Sequence, residues 1–233
     1  MAETSQFPKK KRYGPHQVPH PAVFGDDILT GIAKLLTPKH AHILDPFAGV
    51  GRIHALESFV DWWVQTWGVE IEKEWADCHP QTIQGDATNL PFSDNAFDAV
   101  VTSPCFGNRF ADNYEAKDKS TRRGYRFDLG HEVSDGSAGK LQWGDAYKAL
   151  HWRAWDEAIR VLRPGGRLVL DISDHIRQNK RQYVADWHAS HIMGYADMRL
   201  ADCEAVITRR LGYGANHNVR VRGHMLLAFD KEE

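Results

Sequence analysis

Strands and helices alternate along this chain of 233 residues. The alternation predicts a three-layer α/β fold, with a mostly parallel sheet completed by an antiparallel C-terminal hairpin strand. Three observations carry the prediction. Short apolar runs recur, and helical spacing of apolar residues fills the intervals between them. One run, Arg167 to Ile172, is apolar nearly throughout, as expected when both faces of a parallel sheet are covered. Directly before it stands Arg163-Pro164-Gly165-Gly166, a stop for the preceding helix because proline cannot continue it and glycine permits the reversal.

The elements follow in order. Residues 1–19, with several prolines and the basic run Lys9-Lys10-Lys11-Arg12, read as a flexible basic arm ahead of a single domain over 20–233. Ile28, Ile32, Leu35 and Leu36 mark a first helix. His42 to Asp45 is a short buried strand that runs into Pro46-Phe47-Ala48-Gly49-Val50-Gly51. Ile53, Leu56, Phe59, Val60 and Trp63 line one face of the next helix. Further strands are predicted at Thr66 to Glu70, Gln81 to Asp86 and Phe97 to Thr102. Tyr147, Leu150, Ala154, Ala158 and Leu162 share one side of a long helix, and Val184 to Met198 forms another. Two final strands, near Cys203–Thr208 and Val221–Phe229, flank a glycine-rich basic loop over 209–220. Residues 107–146 form a polar insertion without periodicity, and a loop that long is usually functional or disordered.

Composition narrows the function classes. With 42% apolar and 26% charged residues, the chain has enough apolar mass for one well-buried domain. No apolar run approaches the roughly 20 residues that span a bilayer. No apolar segment follows the basic run as a secretory signal requires. Cys78, Cys105 and Cys203 lie far apart, and the histidines show no zinc-ligand spacing. Neither a disulfide framework nor a metal is therefore expected, and a reducing cytoplasm is the expected setting. Net charge is −2, yet cations cluster at Arg122/Arg123/Arg126, Arg177/Lys180/Arg181, Arg209/Arg210 and Arg220/Arg222, in loops beside strand ends. A local basic face on a near-neutral protein is compatible with nucleic-acid binding.

The strand ends carry the chemistry. In an open α/β sheet, ligands bind at the carboxyl ends of strands. Asp45, Phe47, Gly49 and Gly51 stand at one such end, where the glycines admit a ligand close to the backbone. Glu70 ends the next strand, placed to accept from ribose hydroxyls. Asp86 ends the third, placed to accept from an exocyclic adenine amine. A nicotinamide dinucleotide is the rival ligand. It asks for a third glycine where this chain has His54, and Asp45 would set a negative charge beside its pyrophosphate. A phosphate-free sulfonium nucleoside, S-adenosylmethionine, meets neither objection. The fourth strand ends in Ser103-Pro104-Cys105-Phe106, a stiff turn presenting a hydroxyl, a carbonyl and a flat ring side by side, suited to a planar amine-bearing ring such as a nucleobase.

Asp45-Pro46-Phe47-Ala48-Gly49-Val50-Gly51, then Glu70, then Gly85-Asp86-Ala87, then Ser103-Pro104-Cys105-Phe106 resembles the motif series of class I S-adenosylmethionine-dependent DNA amino-methyltransferases, in a small form without a separate target-recognition domain. His20-Pro21-Ala22-Val23-Phe24 is similar to a segment that flanks the cofactor in those enzymes, and the likeness extends over roughly residues 16 to 230. The resemblance implies a Rossmann-like methyltransferase sheet. It implies that Asp45, Pro46, Phe47, Ala48, Gly49, Gly51, Glu70, Asp86 and Ala87 line S-adenosylmethionine, with Glu72 as a fallback for Glu70. It also implies transfer to an exocyclic amine of a flipped base held by residues 103 to 106, and serine in first place leans toward cytosine N4 over adenine N6. An origin in a bacterium or its virus would suit such an enzyme.

Cys105 departs from the family's second proline. Pro104-Cys105 also matches the pair of cytosine C5-methylases, whose thiolate adds to the ring, but their Glu-Asn-Val tripeptide is absent and Asp171-Ile172-Ser173-Asp174 stands in its place. An RNA amino-methyltransferase and a non-catalytic S-adenosylmethionine-binding protein are further alternatives. For DNA contact the candidates are Asn108, Arg109, Arg122, Arg123 and Arg126 in the insertion, and Arg209, Arg210, Arg220 and Arg222 in the last loop.

Overall fold

The apolar runs pair into one sheet, and the order of pairing fixes where a ligand can sit. The structure, a computed structural model, describes residues 18–108, 110–111, 124–207, 221 and 223–233. The elements run α1 (Asp26–Leu35), β1 (His42–Asp45), a 3₁₀ helix (Arg52–Ser58), β2 (Gln65–Glu70), α2 (Lys73–Ala76), β3 (Thr82–Gln84) and β4 (Phe97–Thr102). Then come α3 (Tyr125–Leu129), a short 3₁₀ turn (Ala138–Lys140), α4 (Asp145–Val161), β5 (Leu162–Ile172), β6 (His175–Arg177), β7 (Lys180–Gln182), α5 (Val184–Ile192), β8 (Met198–Ile207) and β9 (Gly223–Lys231).

The main sheet is ordered β3-β2-β1-β4-β5-β9-β8. β1 pairs in parallel with β2 and β4, β2 with β3, and β4 with β5. β9 runs antiparallel to both β5 and β8, the expected C-terminal hairpin. The order reverses at β1, so the carboxyl ends of β1, β2 and β4 flank the switch-point crevice where such sheets bind ligands. Among the described residues no helix is long and apolar enough to cross a membrane.

Pleating explains the unbroken apolar strands. Ala99 and Val101 of β4 and Val169 of β5 pack with Ile28, Leu29 and Ile32 of α1 and with Ile53 and Leu56. Val100, Leu168 and Leu170 point the other way, against Trp155, Ala158 and Ile159 of α4. Each face of the sheet therefore has its own core.

Several boundaries differ from expectation. The helix predicted after Gly51 is a seven-residue 3₁₀ helix; Ile53 and Leu56 are buried as expected, but Trp63 is 64% exposed. β3 stops at Gln84 and leaves Asp86 in the following turn, and α5 ends at Ile192. Arg163-Pro-Gly-Gly does end α4, but it lies within β5 as a bulge: Phe97 faces Leu162, and Ala99 already faces Arg167. Gly166 is required there, because a β-carbon would lie 2.9 Å from the Asp98 carbonyl oxygen. β6 and β7 form an unexpected hairpin whose turn residues, Gln178 and Asn179, both have positive φ (51° and 59°), as a type I′ turn demands. Val18 and Pro19, assigned to the arm, dock on the domain: Pro19 accepts from the Trp75 indole N–H at 3.0 Å.

Candidate active site

A row of polar groups crosses the carboxyl ends of β2, β1, β4 and β5 and the amino end of the antiparallel β9. On β2, Glu70 accepts from the Gly49 N–H with one oxygen and from the Glu72 N–H with the other, each at 2.9 Å. On β1, Asp45 Oδ1 accepts from the Thr102 hydroxyl at 2.6 Å and the Phe47 N–H at 3.0 Å. Thr102 and Ser103, successive at the end of β4, reach opposite neighbours. Ser103 donates to Asp171 Oδ2 on β5 at 2.9 Å, and Asp171 Oδ1 pairs with His224 Nδ1 on β9 at 2.8 Å. The expected cofactor acid and the expected substrate turn are thus tied through the last residue of β4 and the one after it.

Burial governs the electrostatics of this row. It pushes the Asp45 carboxyl from an ordinary 3.8 up to about 7, against the pull of the Thr102 and Phe47 hydrogen bonds. Burial likewise raises Glu70 from 4.5 to about 7, again opposed by its two backbone N–H partners and reinforced by Glu72 and Asp45. Both acids therefore sit near half-ionisation at neutral pH, and a positive charge in the crevice would favour their anionic forms.

The backbone around them is shaped for close approach. Gly49 (φ +53°) and Gly51 (φ +76°) occupy the left-handed region, where side chains are strained. A β-carbon on Gly49 would also lie 3.1 Å from the His20 imidazole, so the His20–Phe24 segment closes over this loop. Arg52 secures that closure by pairing with Asp26 and donating to the Phe24 carbonyl. Phe47 is held from behind by α4, with its ring stacked on His151 at 5.6 Å. His54 stands where a dinucleotide site asks for a third glycine: its ring nitrogens bridge the Thr66 and Thr82 hydroxyls, each at 2.8 Å, and burial keeps the imidazole neutral, with its pKa lowered to about 3.

These residues fit an adenosine-bearing ligand. Asp86 Oδ1 is taken by the Thr88 N–H and hydroxyl at 2.8 and 2.9 Å, while Oδ2 has no donor among the described residues. An open acceptor thus stands where an adenine amine is expected, and Ala87 beside it is buried. Pro46 and Ala48 lie within the same loop, and Ala48 donates its N–H to the Val69 carbonyl. Glu72, the fallback for Glu70, is engaged elsewhere: its two oxygens accept from the Ser134 N–H and hydroxyl at 2.8 and 2.9 Å.

In the expected substrate turn, no described residue donates to the Pro104 carbonyl. Phe106 meets the His224 ring edge-on, with centroids 5.4 Å apart. Cys105 is hydrogen-bonded to the Tyr125 hydroxyl and packs beside Val50, Trp75 and Val133. Burial pushes the hydroxyls of Tyr125 and Tyr147 well above the usual tyrosine range. Asp171 and His224 were not expected here. Asp171 obeys the same rule that singled out Asp45 and Glu70, a carboxylate at a strand's carboxyl end, whereas His224 comes from an antiparallel strand and carries no local signal.

Of the residues assigned to DNA contact, Asn108 accepts from the Phe110 N–H and Arg126 pairs with Glu132 at 3.1 Å. Arg109, Arg122, Arg123, Arg209, Arg210, Arg220 and Arg222 lie outside the described residues.

Residues 47–122, about one third of the chain, match the family described as Methyltransferase domain. No curated protein sequence matches the chain. Among solved structures, a chain from the complex between the Haloferax volcanii Trm112 methyltransferase activator and its methyltransferase superposes with TM-score 0.53 at 13% identity, over 88% of this chain and 89% of that one. A SAM-dependent methyltransferase from Aquifex aeolicus gives 0.50 at 12% identity, over 88% and 89%. TrmN from Thermus thermophilus gives 0.49 at 16% identity, over 87% of this chain, which spans only 47% of TrmN. Identities this low bear on fold alone. Residues 47–122 thus match a methyltransferase domain, and the described residues take the class I S-adenosylmethionine-dependent methyltransferase fold.

Proposed function

We propose that the domain methylates the exocyclic amine of a flipped base in DNA, with cytosine N4 ahead of adenine N6. The observation that supports this most is the hydrogen-bond polarity of the Ser103–Phe106 turn. A serine hydroxyl has one proton. Here that proton goes to Asp171, so toward the crevice Ser103 offers lone pairs only. The Pro104 carbonyl beside it is an acceptor too. Two adjacent acceptors complement a group with two N–H donors, and an exocyclic amine is such a group. A ring nitrogen or a carbonyl, which only accept, would meet them lone pair to lone pair.

The same polarity assists the chemistry. An arylamine's lone pair is delocalised into its ring, and acceptors aimed at its hydrogens favour the pyramidal form that frees it. S-adenosylmethionine supplies a methyl group made electrophilic by its sulfonium. Ser103 and Pro104 orient the amine for in-line transfer, and Phe106 stacks on the extruded base. The nitrogen's surplus proton then leaves through these acceptors to solvent. Serine at the first position of the turn favours cytosine N4 by family resemblance.

Cytosine C5 chemistry draws less support. It needs a thiolate at Cys105 together with a Glu-Asn-Val tripeptide at the end of the fifth strand, where Asp171-Ile172-Ser173-Asp174 stands. Incubation of the full chain with methyl-labelled cofactor and plasmid DNA, total tRNA or no acceptor tests the proposal. Mass spectrometry of digested nucleosides should show N4-methylcytosine or N6-methyladenine in the DNA arm. Label confined to tRNA, or found as 5-methylcytosine, would overturn it.

A further inference from the structure

The described half of the insertion sits at a place its polar sequence did not suggest. Glu72, two residues beyond the end of β2 and 2% exposed, holds Ser134 by both its N–H and its hydroxyl. Glu72's own N–H is held by Glu70, whose other oxygen holds Gly49, so one line of hydrogen bonds joins the glycine loop to the insertion. Two residues past Ser134 the chain crosses the ends of β2 and β3. A β-carbon on Gly136 would lie 3.1 Å from Ile71 Cδ1 and 3.6 Å from Asp86 Oδ2, the carboxylate oxygen left open by its own turn. From there the segment folds back: Ser137, Ala138 and Gly139 are buried, and Gly139 abuts the Tyr125 ring. Tyr125, Val133 and Leu129 then pack on Val50 of the glycine loop and on Trp75.

We propose that residues 133–139 form the outer wall of the adenosine pocket, latched by Glu72 and Ser134, so that this part of the insertion serves the cofactor and not the nucleic acid. Three groups converge there: Ile71 as an apolar surface for a purine face, Asp86 Oδ2 as an acceptor for its amine, and the Gly136 backbone closing the open side. Glycine suits that place because any side chain at 136 projects into the gap between Ile71 and Asp86. The proposal rests on S-adenosylmethionine being the cofactor, and it is independent of which acceptor is methylated.

The test is calorimetric titration of the full chain, its Ser134→Ala variant and its Gly136→Val variant. The ligands are S-adenosylhomocysteine and 5′-methylthioadenosine, which lacks the amino-acid tail. Binding of a fluorescent DNA duplex is measured alongside without cofactor. Gly136 is exposed and its φ is not positive, so Val is compatible with folding, and unchanged melting temperatures would confirm it. Ser134→Ala removes the hydroxyl half of the latch and leaves the backbone N–H bond, and it should weaken S-adenosylhomocysteine about tenfold, in line with loss of one hydrogen bond to a carboxyl group. Gly136→Val should weaken it further, and both variants should weaken 5′-methylthioadenosine by the same factors. Duplex affinity should hold. Full cofactor affinity in both variants, sparing of 5′-methylthioadenosine, or a loss confined to duplex binding would each overturn the assignment. Failure of the unaltered protein to bind S-adenosylhomocysteine would instead overturn the cofactor reading beneath it.

Discussion

Replacing Asp45 with Asn should make the cofactor-free protein more stable above neutral pH while weakening its hold on the cofactor. The amide keeps the carboxylate's shape, and its oxygen can still accept from Thr102 and Phe47. What it removes is a buried group whose pKa rises from 3.8 to about 7 on folding. Because the folded-state value is raised, the folded protein retains a proton that the unfolded chain has released. The associated stability is complete below about pH 4 and is lost as pH climbs to about 7. Once pH has passed well above 7 that loss is about 4 kcal/mol, and between pH 5 and 7 it is roughly 2 kcal/mol. At about 2–4 °C per kcal/mol for a domain of this size, the wild type should lose on the order of 4–8 °C more than the variant over that range. Glu70, similarly raised, contributes its own slope to both proteins. Thermal unfolding of both proteins at pH 5, 6, 7 and 8, without ligand, measures the difference. Parallel melting curves across that series, or a variant no more stable than wild type at pH 8, would refute the reasoning. Titration with S-adenosylmethionine completes the assay, because loss of the anion should cost affinity for a sulfonium.

Other outcomes follow from the site. Asp171→Asn places an amide donor against Ser103 and turns the serine proton outward; kcat should fall by about 10² while cofactor affinity holds, as separate titrations would show. His224→Leu should impair transfer through the same pair, and His224→Gln, whose amide can still donate to Asp171, should recover much of it. Gly51→Ala forces a side chain into φ +76° with its β-carbon 2.8 Å from that of His79; denaturation should show a loss of about 1–3 kcal/mol, together with weakened cofactor binding. Cys105→Ser should retain the wild type's methylated nucleoside, and disappearance of all product would restore the C5 reading. Affinity for duplex DNA should fall steeply between low and moderate salt, and indifference to salt would count against the DNA assignment.

The sequence was legible where one strand's own residues decide the outcome. β1, β4 and β5 were readable because burial on both faces demands continuous apolar runs, and the places of Asp45 and Glu70 because each closes such a run, whereas Asp86 falls in the turn beyond β3. The pairing of Ser103 with Asp171 and His224 was not readable. It depends on β9 inserting antiparallel beside β5, which brings together residues 53 positions apart. Trp63 was misassigned because its spacing extends a helical face that the chain abandons after Ser58. The β6–β7 hairpin escaped notice because Gln178-Asn179 is a rarer turn pair than Asn-Gly. Glu72 read as a spare cofactor acid because its partner, Ser134, lies in a segment without periodicity.

His54 has a consequence for which cofactors this crevice can admit at all. Its ring fills the place where dinucleotide folds keep a third glycine, and the following residues make only a seven-residue 3₁₀ helix. A helix that short gathers little macrodipole, so no sizeable positive end points at the glycine loop to offset a pyrophosphate. With two carboxylates already bordering the loop, phosphate-bearing ligands meet a repulsive field. The short helix and the two carboxylates together act as an electrostatic filter, set before any ligand contact forms.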